Sequence, residues 1–276
     1  MSGGKRMPRA WPRRRADETE EHRSMELITT HTHTCFTNHG EGTVEELVSA
    51  AVCAGVSTIA VTEHYPMTDA FDPRHYLAMP ADRMDAYLAA IEEARAAHPE
   101  IEVIAGCELD WLGDDEDRDL APEDFAPFGL VLGSVHFVDR WPFDDPAQRG
   151  RWDEVGPTAS GRATSDMVRG GDVGRPLQVM SHPDLAKKFV LPQLRPAAAV
   201  RPGGWARASA GRMVEVNTSG SYYACKGDVP GSLRARRVLP RRRSLHRGHR
   251  RGTSPPTWRG TSKTRTGSCT QPVIER

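Results

Sequence analysis

Two rhythms of apolar residues alternate along residues 25–216. Short runs that are almost wholly apolar or β-branched predict strands covered on both faces: Met25-Glu-Leu-Ile-Thr-Thr30, Val56-Ser-Thr-Ile-Ala-Val61, Ile101-Glu-Val-Ile-Ala105, Leu130-Val-Leu-Gly-Ser-Val135, Leu177-Gln-Val-Met180 and Met213-Val-Glu-Val216. Between the first two, Val44, Leu47, Val48, Ala51 and Val52 recur at helical spacing. Thr43-Val-Glu-Glu46 in front of them fits a capping box, and Gly55 behind them is a C-terminal stop. A second helix is predicted over 81–97, with Met84, Leu88 and Ile91 on one side. Helices alternating with apolar strands predict an α/β fold with a parallel sheet.

In closed parallel barrels the chemistry gathers where the strands end. Here those ends read His31 and His33, then Glu63-His64, Glu108, His136, and His182, with His39 close behind the first. His31 and His33 stand two apart on a strand, so both rings take the same face. A site rich in imidazole and poor in thiolate suits Zn2+, Mn2+ or Fe2+ rather than Ca2+ or Mg2+. Glu108 is the one acidic residue that closes a strand without a neighbouring histidine, and its two oxygens can bridge two metals. His22, His75, His98, His246 and His249 read as surface or hydrogen-bonded structural histidines.

The segments "HTHTCFTNHGEGTVEELVSAAVCAGVSTIAVTEH", "GCELD", "LGSVHFVDRWPFDDP" and "SHPDLAKKF" together resemble the PHP superfamily, specifically its histidinol-phosphate phosphatases, over about residues 25–225. The resemblance implies a distorted (β/α)7 TIM-like barrel with up to three divalent metals. By position, His31, His33 and Glu108 would hold the first, Glu108, His136 and His182 the second, and His39 and His64 the third. Glu63 would orient ligands from behind. The implied reaction is hydrolysis of L-histidinol phosphate, as in histidine biosynthesis. No side chain acts as nucleophile: a hydroxide held between two metals, available near neutral pH because Zn2+ lowers the pKa of bound water to about 7, attacks phosphorus. Lys187, Lys188 and Arg140 are candidates for contacting the phosphate.

Charge divides the chain in two. Residues 225–276 hold 12 Arg and 2 Lys against Asp228 and Glu275, a net +12, while the remaining 224 residues hold 23 basic and 35 acidic groups, a net −12. From 227 onward the large apolar residues are only Val229, Leu233, Val238, Leu239, Leu245, Trp258, Val273 and Ile274, too few to offset the ordering entropy of the segment. The expected organisation is therefore a disordered basic tail at 1–24, a metal-dependent phosphatase domain at 25–224, and a disordered Arg/Pro/Ser/Thr-rich tail at 225–276. Five cysteines without paired spacing (Cys35, Cys53, Cys107, Cys225, Cys269) suit a reducing cytoplasm better than a disulfide framework. With no apolar run of about 18 residues, no membrane span is expected.

The tail departs from the family pattern, in which a late strand ends in Gly-[Ser/Thr]-Asp-Ala-His and supplies the last Asp and His ligands. Nothing in 217–276 reads that way or looks strand-like. The genetic code offers a reason: residues 245–251 read one base out of register can encode Cys-Thr-Val-Gly-Thr-Asp-Ala, and 252 onward, two bases out, can begin with His. Residues 157–177 make a similarly poor helix and can be read as out of frame. The expectation is a barrel incomplete at its C-terminal end, lacking two ligands and with weak or no activity. The rival readings are a PHP-type phosphoesterase or exonuclease on nucleotides, and a non-catalytic remnant whose basic tail binds nucleic acid. The expected partner is a small phosphate ester; the sequence is silent on oligomeric state.

Overall fold

A computed structural model describes residues 27–113, 118–155, 177–182, 185, 188–189, 213–217 and 245–248. The expected tail at 1–24, Lys187, the segment 157–176 and all of the tail at 225–276 except 245–248 lie outside the described residues. Among the described residues, seven strands form one parallel sheet: β1 (Leu27–Thr29), β2 (Val56–His64), β3 (Glu102–Asp110), β4 (Leu130–Ser134), β7 (Val179–Met180), β8 (Met213–Asn217) and β9 (Leu245–Gly248). They are neighbours in that order, and every adjacent pair is parallel. Cα atoms of β9 also come within 8 Å of β1, so the sheet curls back toward its first strand. This is the α/β, TIM-like architecture expected. The strands β5 (Phe137–Val138) and β6 (Trp141–Pro142) form a separate antiparallel pair.

Two helices cover the first half of the sheet. In α1 (Val44–Cys53) the capping box is complete: Glu46 N–H donates to Thr43 Oγ1 at 3.2 Å, and Thr43 N–H donates to Glu46 Oε2 at 2.8 Å. Two of the amides left free at a helix start are thereby satisfied, and Val44, Val48 and Ala51 turn into the core. A 3-10 turn (Ala81–Arg83) leads into α2 (Met84–Ala97). Its buried face is Tyr87, Ile91 and Ala94, whereas the expected Met84 and Leu88 are only partly buried. Tyr87 takes the central place because its hydroxyl donates to the carbonyls of Val61 and Gly106, each at 2.7 Å, and so ties α2 to β2 and β3 at once.

Two expectations need correction. First, β2 and β3 run on through Glu63-His64 and Glu108-Asp110, because ladder pairing continues with His64 opposite Glu108 and Asp110 opposite Ser134. Glu63, His64, Glu108 and Asp110 therefore sit inside strands, where pairing fixes their direction. Second, the tail does contain a strand. β9 pairs with β8 from Val214 opposite Leu245 to Asn217 opposite Gly248. Main-chain pairing draws on the N–H and C=O groups that nearly every residue carries, so a segment without strand-like composition can still close an open edge. Cys35 and Cys107 are free. Among the described residues no helix is long and apolar enough to cross a membrane.

Candidate metal centre

Alternation along β2 and β3 and just beyond β1 turns polar side chains into the hollow of the curled sheet. His31 and His33 follow β1, His64 ends β2, and Glu108 and Asp110 end β3; each of these five is buried. His136, His182 and Glu215 add buried groups from the segments after β4 and β7 and from β8. Five imidazoles close into a ring, with successive centroids His31–His33 at 5.2 Å, His33–His64 at 4.8 Å, His64–His136 at 5.0 Å, His136–His182 at 5.0 Å and His182–His31 at 5.2 Å. His39 lies outside that ring, 4.9 Å from His33 and 5.1 Å from His64.

Glu108 stands at the centre, and its two oxygens serve different sides. Oε2 lies 2.9 Å from His31 Nε2, 3.1 Å from His33 Nε2 and 3.2 Å from His64 Nε2. Oε1 lies 2.9 Å from His182 Nε2 and 3.8 Å from His136 Nε2, and accepts a hydrogen bond from Ser134 Oγ. Among the described residues, four groups of three donors each have their ligand atoms within 4.8 Å of one another: His31, His33 and Glu108; Glu108, His136 and His182; His33, His39 and His64; and His64, Asp110 and His136.

Two carboxylates that the sequence reading did not assign hold the rings from behind. Asp110 meets Nδ1 of His64 at 2.8 Å and Nδ1 of His136 through its other oxygen. Glu215 meets Nδ1 of His31 at 3.0 Å and accepts the backbone N–H of His182 at 2.7 Å. With Nδ1 engaged, Nε2 of His31, His64 and His136 is directed at Glu108. Such carboxylate–imidazole pairs fix the tautomer and orientation of metal-ligating histidines. Asp110 was within reach of sequence reasoning, since it stands two residues after Glu108 and so shares its face. Glu215 carried a weaker signal, a lone carboxylate inside an apolar strand.

The electrostatics follow from this crowding. Burial by itself opposes ionisation of every group here. Around Asp110, His136 and His64 outweigh it and hold the carboxyl at about 2. Around Glu215, His31 outweighs it and the result is again about 2. Burial would depress His31, but Glu108 and Glu215 overcome that and raise it to about 10. His182 keeps the effect of burial and falls to about 4, whereas His136, beside Asp110, is raised.

The donor set fits divalent ions. His33 Nδ1 and Nε2, His64 Nε2, His182 Nδ1 and Glu63 Oε2 are buried without a hydrogen bond, a costly state for polar atoms unless something else binds them. Imidazole with carboxylate and no thiolate matches borderline ions of the zinc, manganese and iron kind.

The remaining expected residues are placed as follows. Glu63 Oε1 accepts from the backbone N–H of Thr34 at 2.7 Å and from its hydroxyl at 2.6 Å, while Oε2 lies 3.7 Å from His33 Nδ1. Lys188 is buried, its Nζ donating to the carbonyl of Asp144 at 2.7 Å and lying 3.1 Å from its carboxylate. Arg140 is exposed, with its guanidinium 5.0 Å from the Phe71 ring centroid. His75 and His98 lie apart from the cluster beside Asp69 and Glu45.

A family model described as "PHP domain" matches residues 29–192. A Deinococcus radiodurans protein assigned as a histidinol-phosphatase is 29% identical over 167 residues, which are 59% of this chain and 62% of that relative, so the chain spans less than two thirds of its length. A Listeria monocytogenes protein assigned as a histidinol phosphatase superposes with a TM-score of 0.65 at 18% identity, covering 84% of this chain and 98% of that one. The histidinol phosphate phosphatase of Lactococcus lactis, solved with zinc, L-histidinol and phosphate, gives 0.56 at 17% identity, covering 83% and 88%. At those identities the two solved structures show a shared fold. With the family model spanning more than half of its residues, the chain belongs to the PHP family.

Proposed function

We propose that the chain is a metal-dependent phosphomonoester hydrolase whose substrate is L-histidinol phosphate, serving amino-acid biosynthesis in the cytoplasm. The observation that carries this reading is the central Glu108, with one oxygen turned to His31, His33 and His64 and the other to His182 and His136. His31, His33 and Glu108 would hold one ion, Glu108, His136 and His182 a second, and His39 and His64, with His33, a third. Bound divalent ions would supply a water nucleophile of lowered pKa and neutralise the phosphoryl oxygens.

The chain's own groups do the rest. Asp110 and Glu215 keep three Nε2 atoms aimed inward, so no ring has to rotate when an ion enters. Glu63 pins the backbone of Thr34 and thereby the path of the chain between His33 and His39. Lys188, held by Asp144, and Arg140 at the rim are assigned to the phosphate, together with Lys187. Phe143 N–H donates to the carbonyl of His136 at 3.1 Å, so Asp144, which holds the Lys188 ammonium, follows directly on that contact. The histidinol phosphatase of Lactococcus lactis, bound to zinc, L-histidinol and phosphate, supports the choice of substrate and of zinc. The resemblance implies an Asp and a His on a late strand, and 217–276 contains no Gly-[Ser/Thr]-Asp-Ala-His, so the reading includes weak turnover at most.

The test is phosphate release by the purified 276-residue chain loaded with Zn2+ or Mn2+, comparing L-histidinol phosphate with nucleoside 5′-monophosphates. Slow hydrolysis that prefers L-histidinol phosphate and vanishes in Glu108→Ala is expected. Preference for nucleotides would replace the substrate assignment, and vigorous turnover would overturn the claim of an incomplete ligand set.

A further inference from the structure

We propose that Tyr76 is a substrate-positioning residue that stacks on the aromatic head group of the ester, holding the imidazole of L-histidinol at the mouth of the site. This rests on the substrate assigned above. Among the described residues only two large hydrophobic side chains are exposed, Leu27 and Tyr76, the latter at 49%. Leu27 starts β1, at the sheet end opposite the histidines. The Tyr76 ring stands at their mouth, 6.2 Å from the His39 ring centroid and inclined at 47° to it.

The ring is exposed, yet the backbone beneath it is fixed. Asp72, itself buried, accepts the backbone N–H of Tyr76 at 2.9 Å and those of Leu77 and Ala78 at 2.8 Å each. Asn38, beside His39, donates to the carbonyl of His75, and Met79 N–H donates to the carbonyl of His64 at 3.1 Å. The loop is thus tied to the chain on either side of it at two of the imidazoles. Phe71, Ala78 and Met79 are buried beneath it. Leaving an aromatic ring half in water forgoes its burial energy, and a rigid platform is where a stacking partner recovers it.

Chemistry selects the partner. The guanidinium of the exposed Arg74 lies over the Tyr76 ring, 6.0 Å from its centroid, with a nitrogen 3.6 Å from Asp145, so the ring face is one that meets a cation. An imidazole is aromatic, and once protonated it is cationic as well, so either form is attracted to a tyrosine face. Inorganic phosphate has no such group.

The experiment titrates the zinc-loaded protein with L-histidinol and, separately, with inorganic phosphate by calorimetry, for the parent, Tyr76→Phe and Tyr76→Ala. Matched zinc content and circular dichroism certify folding. Tyr76→Ala is expected to weaken L-histidinol roughly three- to tenfold, with Tyr76→Phe staying within about twofold. Phosphate affinity stays unchanged in both. The inference falls if Tyr76→Ala leaves L-histidinol binding as it was, if it weakens phosphate equally, or if the parent binds no L-histidinol. Should L-histidinol bind through Tyr76 while L-histidinol phosphate is never hydrolysed, the inference stands and the phosphatase reading fails. Conversely, hydrolysis of L-histidinol phosphate with KM and L-histidinol binding unmoved by Tyr76→Ala overturns the inference and leaves the phosphatase reading intact.

Discussion

Nδ1 of His64 lies 2.8 Å from Oδ2 of Asp110, and the other oxygen of Asp110 engages His136, so one carboxylate orients two imidazoles of the ring. Removing it frees both rings to rotate and leaves both Nδ1 atoms buried without that acceptor. Asp110→Ala should therefore lower zinc affinity about 10–100-fold, read by competition with a chromogenic chelator. Asp110→Asn, which keeps an acceptor, should lose less. Unchanged affinity in both variants would show that the rings need no such support.

Glu108 is shared by two donor groups, so its loss cannot be confined to one ion. Glu108→Gln retains the shape but removes the charge that faces five imidazoles. Metal analysis after dialysis should show fewer ions bound across the centre, where a residue serving one ion would cost a single equivalent. A decrease restricted to one equivalent would contradict the bridging position.

Proton and metal compete for His31. Its pKa, raised to about 10 by Glu108 and Glu215, means the metal-free centre holds a proton there at neutral pH, and an ion binding Nε2 must displace it. Affinity should rise with pH by about tenfold per unit for that single proton, up to about pH 10. Calorimetry at pH 7.5 in buffers of different ionisation enthalpy should reveal the released proton. The stability of the metal-free fold also rises with pH on the acid side. Asp110 and Glu215, both held at about 2, contribute stability that is present above the ordinary carboxylate range and is lost as the pH falls toward 2.

Gly40 packs directly against the chain segment that carries the ligands. A Cβ at this position would lie 2.1 Å from the carbonyl oxygen of Thr34. Gly40→Ala must push apart the loop that presents His39, at a cost of about 1–3 kcal/mol by analogy with overpacking. Denaturant unfolding and metal stoichiometry should fall together.

Thr43→Ala provides the contrast. It removes the side-chain half of the capping box at the start of α1, and should cost about 1 kcal/mol in thermal unfolding while zinc affinity holds.

Much of this centre could be read from the chain because two simple rules act together. Parity placed His31 and His33 on one face, and the ends of successive apolar runs supplied His64, Glu108, His136 and His182. Those strand ends converge because register is fixed by pairing, as with His64 opposite Glu108. Asp110 and Glu215 escaped notice since a carboxylate that orients a ring looks, in sequence, like any acidic residue near a strand. Tyr87 was hidden for a related reason. Its burial depends on two carbonyls brought together only by β2 and β3. β9 was illegible because its bonds to β8 belong to the backbone, where composition leaves little trace.

That last seam bears on how such a protein can change over time. The joint between β8 and β9 asks for an extended main chain and little more, whereas β3 admits almost no exchange at Glu108 or Asp110. Altered coding in the final strand can thus erase donors without unzipping the rest of the sheet, leaving a scaffold that keeps its architecture after part of its chemistry has gone.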